Sequence, residues 1–287
     1  MSGLLVVKLG GSAITAKAEE ETLDAAALGA ALDQLALLFL EGVPLIVAHG
    51  AGSFGHGLAS RAGLARGGGA DAAAALLAFA QTRASVLKLN AAVVAGLVSR
   101  GVPAVAVSPL PLWETAGGAV APGAAAAAAV AAVGRLCAAG LVPVLHGDAV
   151  LDAEQRFAIL SGDTLVAELC ALEPDRVVYC TNVDGVYDRP PENPGAQLVA
   201  RVVVRAAGRW MRVDGGDGGG EAGCGVDFNC AANDATGGMA KKVEEAAACV
   251  HRGCPDVYIT RAGSVAALEA CRGRVGPGWR GTHVCRE

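Results

Sequence analysis

Twice in its first fifty residues the chain runs from a short apolar stretch straight into glycine, and this constrains the fold more than any other feature. Leu4–Leu9 leads into Gly10-Gly11-Ser12, and Val43–Ala48 leads into His49-Gly50-Ala51-Gly52-Ser53-Phe54-Gly55-His56. Between them Leu23, Leu28, Leu32, Leu35 and Leu38 recur at helical spacing until Gly42. Strand, glycine turn, helix, strand, glycine turn is the opening of a parallel α/β sheet.

The alternation continues along the chain. A long helix is expected over Asp71–Arg100, with strands at Val102–Pro109, Val142–His146 and Arg176–Thr181 and an alanine-rich helix at Ala124–Ala139. Ala149–Asp152 and Arg156–Ile159 read as a small hairpin. Ser161-Gly162-Asp163-Thr164 reads as a helix start with Ser161 or Asp163 as cap. Thr181–Asp188 is a polar loop at a strand's carboxyl end. Gly215–Gly220 is low-complexity and reads as an insertion. A helix at Ala240–His251, a strand at Val257–Thr260, a helix at Ser264–Cys271 and a strand at Thr282–Cys285 complete the α/β pattern. In such sheets ligands gather at the carboxyl ends of strands, where every glycine motif here falls.

Composition excludes some functions. A net charge of −5 lacks the basic surface that nucleic-acid binding needs. No uninterrupted apolar run reaches the roughly 18–20 residues of a membrane span. A strand by Leu4 leaves no room for a leader, and nine cysteines without a CxxC pair suit reduced thiols; both predict a cytoplasmic protein.

The glycine motifs predict an anion site. Glycines let backbone N–H groups approach an anion closely, and a helix N-terminus adds partial positive charge. Lys8 breaks an apolar strand at its carboxyl end, and Lys17 follows nine residues on; two lysines around Gly10-Gly11-Ser12 suit a polyphosphate. There is no Walker sequence. Gly50, Gly52 and Gly55 match G-x-G-x-x-G, but after the second strand rather than the first, and without the acidic residue that closes a dinucleotide site. Asp163 and Asp184 read either as turn formers or as carboxylates that hold lysines in place. Lys241 and Lys242 follow Thr236-Gly237-Gly238-Met239 in a helix's first turn, a position unfavourable to lysine unless an anion lies nearby. His49 and His56 are too few to predict a metal site.

Taken in order, these motifs resemble the amino acid kinase superfamily from about Leu4 to Cys285, and the loop ending in His56 is similar to that of its isopentenyl phosphate kinase branch. The resemblance implies a three-layer α-β-α sandwich around a mainly parallel sheet, with an acceptor-binding lobe over about 1–172 and a nucleotide-binding lobe over about 173–287. It implies a homodimer, ATP with Mg²⁺, and transfer of a phosphoryl group to isopentenyl phosphate; another alkyl phosphate or phosphonate as acceptor, or a non-catalytic nucleotide-binding role, are the alternatives. Lys8, Gly10, Gly11, Ser12, Gly52, Asp184, Gly238 and Lys242 are similar to the ATP-side positions. Lys17 matches the lysine on the transferring group, and Ala51, His56 and Gly162 the acceptor contacts. Asp163 matches the organiser of the lysines, and Lys242 fits the family spacing better than Lys241. The departure is the glycine-rich segment near 213–230, longer than the family pattern. The wall of the pocket for an apolar acceptor tail is expected on the long helix, at Leu76, Phe79 and Ala80.

Overall fold

The computed structural model describes residues 3–16, 19–69, 71–205, 210–213 and 237–287. Lys17, Thr236 and most of the glycine-rich segment lie outside the described residues. The first half of the chain runs β1 (Leu5–Leu9), α1 (Gly11–Ile14), α2 (Ala25–Leu40), β2 (Leu45–His49), α3 (His56–Arg61), α4 (Ala72–Val98) and β3 (Ala104–Val107). After the short turn α5 (Pro109–Leu112) come β4 (Thr115–Ala116), β5 (Ala119–Val120), α6 (Ala124–Ala138), β6 (Val142–His146), β7 (Asp148–Asp152), β8 (Arg156–Leu160) and α7 (Gly162–Leu169). The rest comprises β9 (Arg176–Thr181), β10 (Arg201–Val204), β11 (Trp210–Val213), α8 (Gly237–His251), β12 (Asp256–Arg261), α9 (Val265–Arg272) and β13 (Thr282–Arg286).

Nine strands form one sheet in the order β11-β10-β13-β12-β9-β1-β2-β6-β3. Every pairing from β12 through β9, β1, β2 and β6 to β3 is parallel; β13 and β11 add antiparallel pairings towards the other edge. The sheet is covered on both faces, so the α/β expectation holds as a three-layer sandwich. In β1 the alternation of a strand sends Val6 to the face covered by α6, α7 and α8, and Leu5, Val7 and Leu9 to the face covered by α2, α4 and α9. Lys8 shares Val6's face, which is why it can interrupt an apolar strand and still reach α7.

Local chemistry sets the helix starts. Asp24 and Asp71 accept from backbone N–H groups two or three residues on, so α2 begins at Ala25, past the first leucine of the periodic run, and α4 at Ala72. Ser161 caps α7 through Thr164 N–H at 3.0 Å, which frees Asp163 for other work. Gly10-Gly11-Ser12, expected as a simple turn, opens the single helical turn α1. The expected hairpin is β7 with β8, and it belongs to a separate four-stranded sheet of order β5-β4-β7-β8.

Candidate active site

The carboxyl ends of β9, β1, β2 and β6 are stitched together by glycine N–H groups that extend the sheet's ladder into its loops. Gly10 donates to Cys180 O (2.7 Å), Gly50 to Leu9 O (3.0 Å) and Gly147 to His49 O (2.9 Å). The loops then press backbone against backbone. A Cβ on Gly11 would overlap the Gly52 backbone nitrogen, and one on Gly162 would stand 2.9 Å from His49 O. Gly52 itself has φ +54°, in the left-handed region.

Two buried histidines support this floor. His49 and His146 are adjacent in register, with ring centroids 5.8 Å apart. Asn90 Nδ2 donates to His49 Nε2 (3.1 Å), so the opposite ring nitrogen carries the proton and donates to Gly50 O (3.0 Å). Burial lowers the pKa of His49 to about 3 and that of His146 to about 4, so both are neutral struts near pH 7. They hold the loop and do not titrate with its ligands.

Above them lies a cleft of about 910 Å³, bounded by the α1 turn, the Gly50–Gly57 loop, the start of α7 and Lys241 of α8. Gly11, Ser12, Ala51, Gly52, His56, Gly162 and Asp163, all expected site residues, line it. His56 is exposed at the first position of α3. Lys8 is held beneath the rim by Asp163, Nζ to Oδ1 2.5 Å, with side chains 14% and 15% exposed. Asp163 is thus ion-paired with the lysine that precedes the first glycine turn.

Other expected residues fall elsewhere. Gly10 lies at the end of β1 behind the rim, and Gly238 in the first turn of α8. Lys242 is half-buried and engaged by the protein, while Lys241 faces the cleft. Asp184 sits where β9's loop meets β12, gripped by Arg261 Nε (2.7 Å), Arg280 Nη2 (2.9 Å) and Tyr187 Oη (3.2 Å). The two guanidiniums, Arg261 foremost, hold its carboxyl below the usual range.

The long helix does wall the cleft, but through Thr82 and Val86; Leu76 is largely exposed and Phe79 packs on Phe157. Facing α4 stands Asp148, also on the cleft. It receives Arg83 Nε at 3.0 Å, while Arg83 Nη2 donates to Ser108 Oγ at 2.8 Å. Burial pushes the Asp148 carboxyl up to about 6, against the Arg83 charge. Gly147-Asp148 ends a strand as the other motifs do, a signal that could have marked Asp148; Arg83, a lone arginine in an alanine-rich helix, has none. Among the described residues no three His, Cys, Asp or Glu side chains are grouped to hold a metal.

Residues 3–261 match the amino acid kinase family. The chain belongs to that family. Within it, the chain is 36% identical to an isopentenyl phosphate kinase of Arabidopsis thaliana, over 97% of this chain and 94% of that protein. It is 32% identical to the isopentenyl phosphate kinase of Methanothermobacter thermautotrophicus, covering 90% and 91% of the two chains. A solved isopentenyl phosphate kinase structure superposes with a TM-score of 0.76 at 27% identity, covering 98% of this chain and 99% of that one. The cleft thus lies on an amino acid kinase scaffold, at the carboxyl edge of its sheet.

Proposed function

We propose that the protein transfers the γ-phosphoryl group of ATP to isopentenyl phosphate, forming isopentenyl diphosphate and ADP for isoprenoid biosynthesis. A terminal oxygen of the acceptor phosphate attacks the γ-phosphorus in line as the bond to the β-phosphate bridging oxygen breaks. The acceptor's second pKa is about 6, so its oxygen is already a nucleophile near neutrality and needs no strong base. The chemical difficulty is to bring two anions together, which calls for positioning and positive charge. The carrying observation is the glycine-lined cleft with Lys8 fixed by Asp163 at one side and His56 standing free at the other. The named relatives support the same acceptor.

In this reading Lys8, Gly10, Gly11, Ser12, Gly52, Asp184, Gly238 and Lys242 serve ATP, with Lys17 on the transferring group. Ala51, His56 and Gly162 hold the acceptor phosphate, and Asp163 orients the lysines. We take the chain as an acceptor lobe up to about residue 172 and a nucleotide lobe after it, with the phosphate-side contacts to ATP at Lys8–Ser12 and Gly52 reaching over from the first lobe. No carboxylate cage is needed for Mg²⁺, which travels with the nucleotide on phosphate oxygens and water. We place the enzyme in the cytoplasm as a homodimer; among the described residues no helix is long and apolar enough to cross a membrane.

An acceptor panel with Mg-ATP tests the reading. Isopentenyl phosphate should be consumed far faster than acetylglutamate, glutamate, aspartate, carbamate or UMP, and a better rate on any of these overturns it. His56→Ala should lower kcat/KM for isopentenyl phosphate by about 10²-fold or more, in the range of lost donors to reacting oxyanions, with the fold intact by circular dichroism.

A further inference from the structure

Ser53 lies within the Gly50–Gly57 loop, where a hydroxyl could donate to the same anion as the glycine N–H groups around it. The structure turns it the other way. Its N–H donates to Thr15 Oγ1 (3.1 Å) and its carbonyl accepts from Glu21 N–H (3.0 Å). Its Oγ donates to Thr22 O (3.1 Å) and accepts from Thr22 N–H (3.3 Å). A serine hydroxyl has one proton, and Thr22 O takes it, so none is left for a phosphate oxygen. Thr15 completes the arrangement from the other side. Buried at the end of α1, its hydroxyl donates to Gly11 O at 2.8 Å while receiving Ser53 N–H. We propose that Thr15 and Ser53 are positioning residues whose hydroxyls fix the distance between the two phosphate-binding loops, the Gly10–Ser12 turn and the Gly50–Gly57 loop. The inference rests on the reading of this cleft as a phosphoryl-transfer site.

Taken alone, each hydroxyl has a smaller task. A threonine bonded to the carbonyl four residues back is ordinary chemistry at a helix end, and a serine beside glycine is an ordinary turn former. The long bonds are what the local pattern does not require. Ser53 stands 38 residues from Thr15 and 31 from Thr22, so both contacts join the segment after β1 to the segment after β2. Thr15 pairs with Leu23 in an antiparallel bridge, and Ala16 N–H donates to Thr22 O at 2.9 Å, which brings Thr15 and Thr22 together where Ser53 meets both. Two ion pairs of 2.6 Å, Glu20 with Arg61 and Glu21 with Lys88, tie the same segment to α3 and α4. Their side chains are 37–62% exposed, so solvent screens them and the hydroxyl bonds carry the tie. There is no slack beside those bonds, because a Cβ on Gly52 would strike Thr15 Oγ1. For two phosphates meeting in line, a misplacement of about 1 Å costs about 10²-fold in rate. A phosphate bound to either loop alone would not register the error.

A ligand that spans both loops reads their distance directly. The probe is a bisubstrate compound in which adenosine and an isopentenyl group are joined through one polyphosphate chain. It is compared with a non-hydrolysable Mg-ATP analogue and with isopentenyl phosphate, each bound singly. Thr15→Val keeps the branched shape and removes the hydroxyl; Ser53→Ala removes the other. In both variants kcat should fall by about 10- to 100-fold and bisubstrate affinity by about tenfold, while each single-ligand dissociation constant stays within about twofold of wild type. Thr15→Ser keeps the hydroxyl and should restore most of the lost kcat, a comparison that holds even if Thr15→Val folds poorly. Single-ligand affinity that falls together with kcat in Ser53→Ala would make Ser53 a phosphate contact and overturn the inference. Full kcat with only a lowered urea midpoint would make the hydroxyls structural and overturn it too, as would a Thr15→Ser no better than Thr15→Val. These results leave the acceptor panel untouched. A wild type that binds nucleotide but ignores isopentenyl phosphate overturns the proposed acceptor alone, and the variants are then compared on the acceptor that the panel selects. One that binds no nucleotide overturns both.

Discussion

The two ends of the sheet's carboxyl edge are built on opposite principles. At β1, β2 and β6 the loops interlock by backbone contact at Gly11, Gly50, Gly52 and Gly162, over a floor of neutral histidines. At β9 and β12 the loop around Asp184 is held by ion pairs, Arg261 and Arg280 reaching one carboxylate across 77 and 96 residues of chain. The first arrangement excludes side chains and ignores pH and salt. The second depends on charge, and Arg261 and Arg280 are 51% and 70% exposed. Only the backbone arrangement presents N–H groups at fixed spacing for phosphate oxygens. Lys8 sits between the two, fixed by a charge yet placed by a strand.

The largest effect should come from that junction. Lys8→Met should lower kcat by about 10²–10³-fold, the size found when a preorganised donor to a developing oxyanion is lost. A loss confined to KM would mean that Lys8 binds ground state and transition state alike, placing it with the binding backbone rather than with the chemistry.

Gly52→Ala probes the interlock itself. Its Cβ would strike Thr15 Oγ1 and stand 2.8 Å from Gly11 O, on a backbone already at φ +54°. Strain and overpacking together should lower stability by about 2–3 kcal/mol, read as a shift in urea midpoint, and depress nucleotide and acceptor affinity together. Gly42→Ala is the control: φ is +80° but nothing lies within 4 Å of the added carbon. It should lose only about 1 kcal/mol and no activity. Equal losses in the two variants would mean that left-handed backbone, rather than close approach, is what the loop requires.

This contrast also explains what was legible in the sequence. Close backbone approach admits only glycine, so it is written locally, and the loops at Gly10, Gly50 and Gly162 could all be placed before their geometry was known. Apolar periodicity likewise carried β1, β2, β3, β6, β9, β12 and β13 and the long helices, but not β10 and β11 at the sheet's edge. Ion pairs between distant residues leave no local trace: nothing around Arg83, Arg261 or Arg280 marks them as partners of Asp148 and Asp184. Apolar character points to Leu76 and Phe79 as the part of the long helix that walls the cleft, because they look apolar and Thr82 does not; α4 turns Thr82 and Val86 to it instead. Spacing alone cannot say which of two consecutive helical residues, Lys241 or Lys242, faces a cleft, since a helix rotates them about 100° apart; in the structure Lys241 lines it.

The weakest of these effects is the one that distinguishes the two ends most cleanly. Asp184 has its pKa lowered by Arg261 and then Arg280, so it stabilises the fold above its unfolded pKa of about 3.9, and that contribution disappears as pH falls through its lower folded value. Its partners are largely exposed, so solvent screens both contacts and their contribution is small. Asp184→Asn should therefore lower the urea midpoint at pH 7, and the gap to wild type should close as the pH is taken below the ordinary carboxylate range. Molar salt at pH 7 should narrow it as well. Gly52→Ala, measured alongside, should keep its full deficit under both treatments, because overlap between a Cβ and a backbone oxygen has no charge to screen or titrate. If the Asp184→Asn gap survived acid and salt unchanged, the Asp184 loop would be held by packing, like the glycine loops, and the division between the two ends of the edge would be lost.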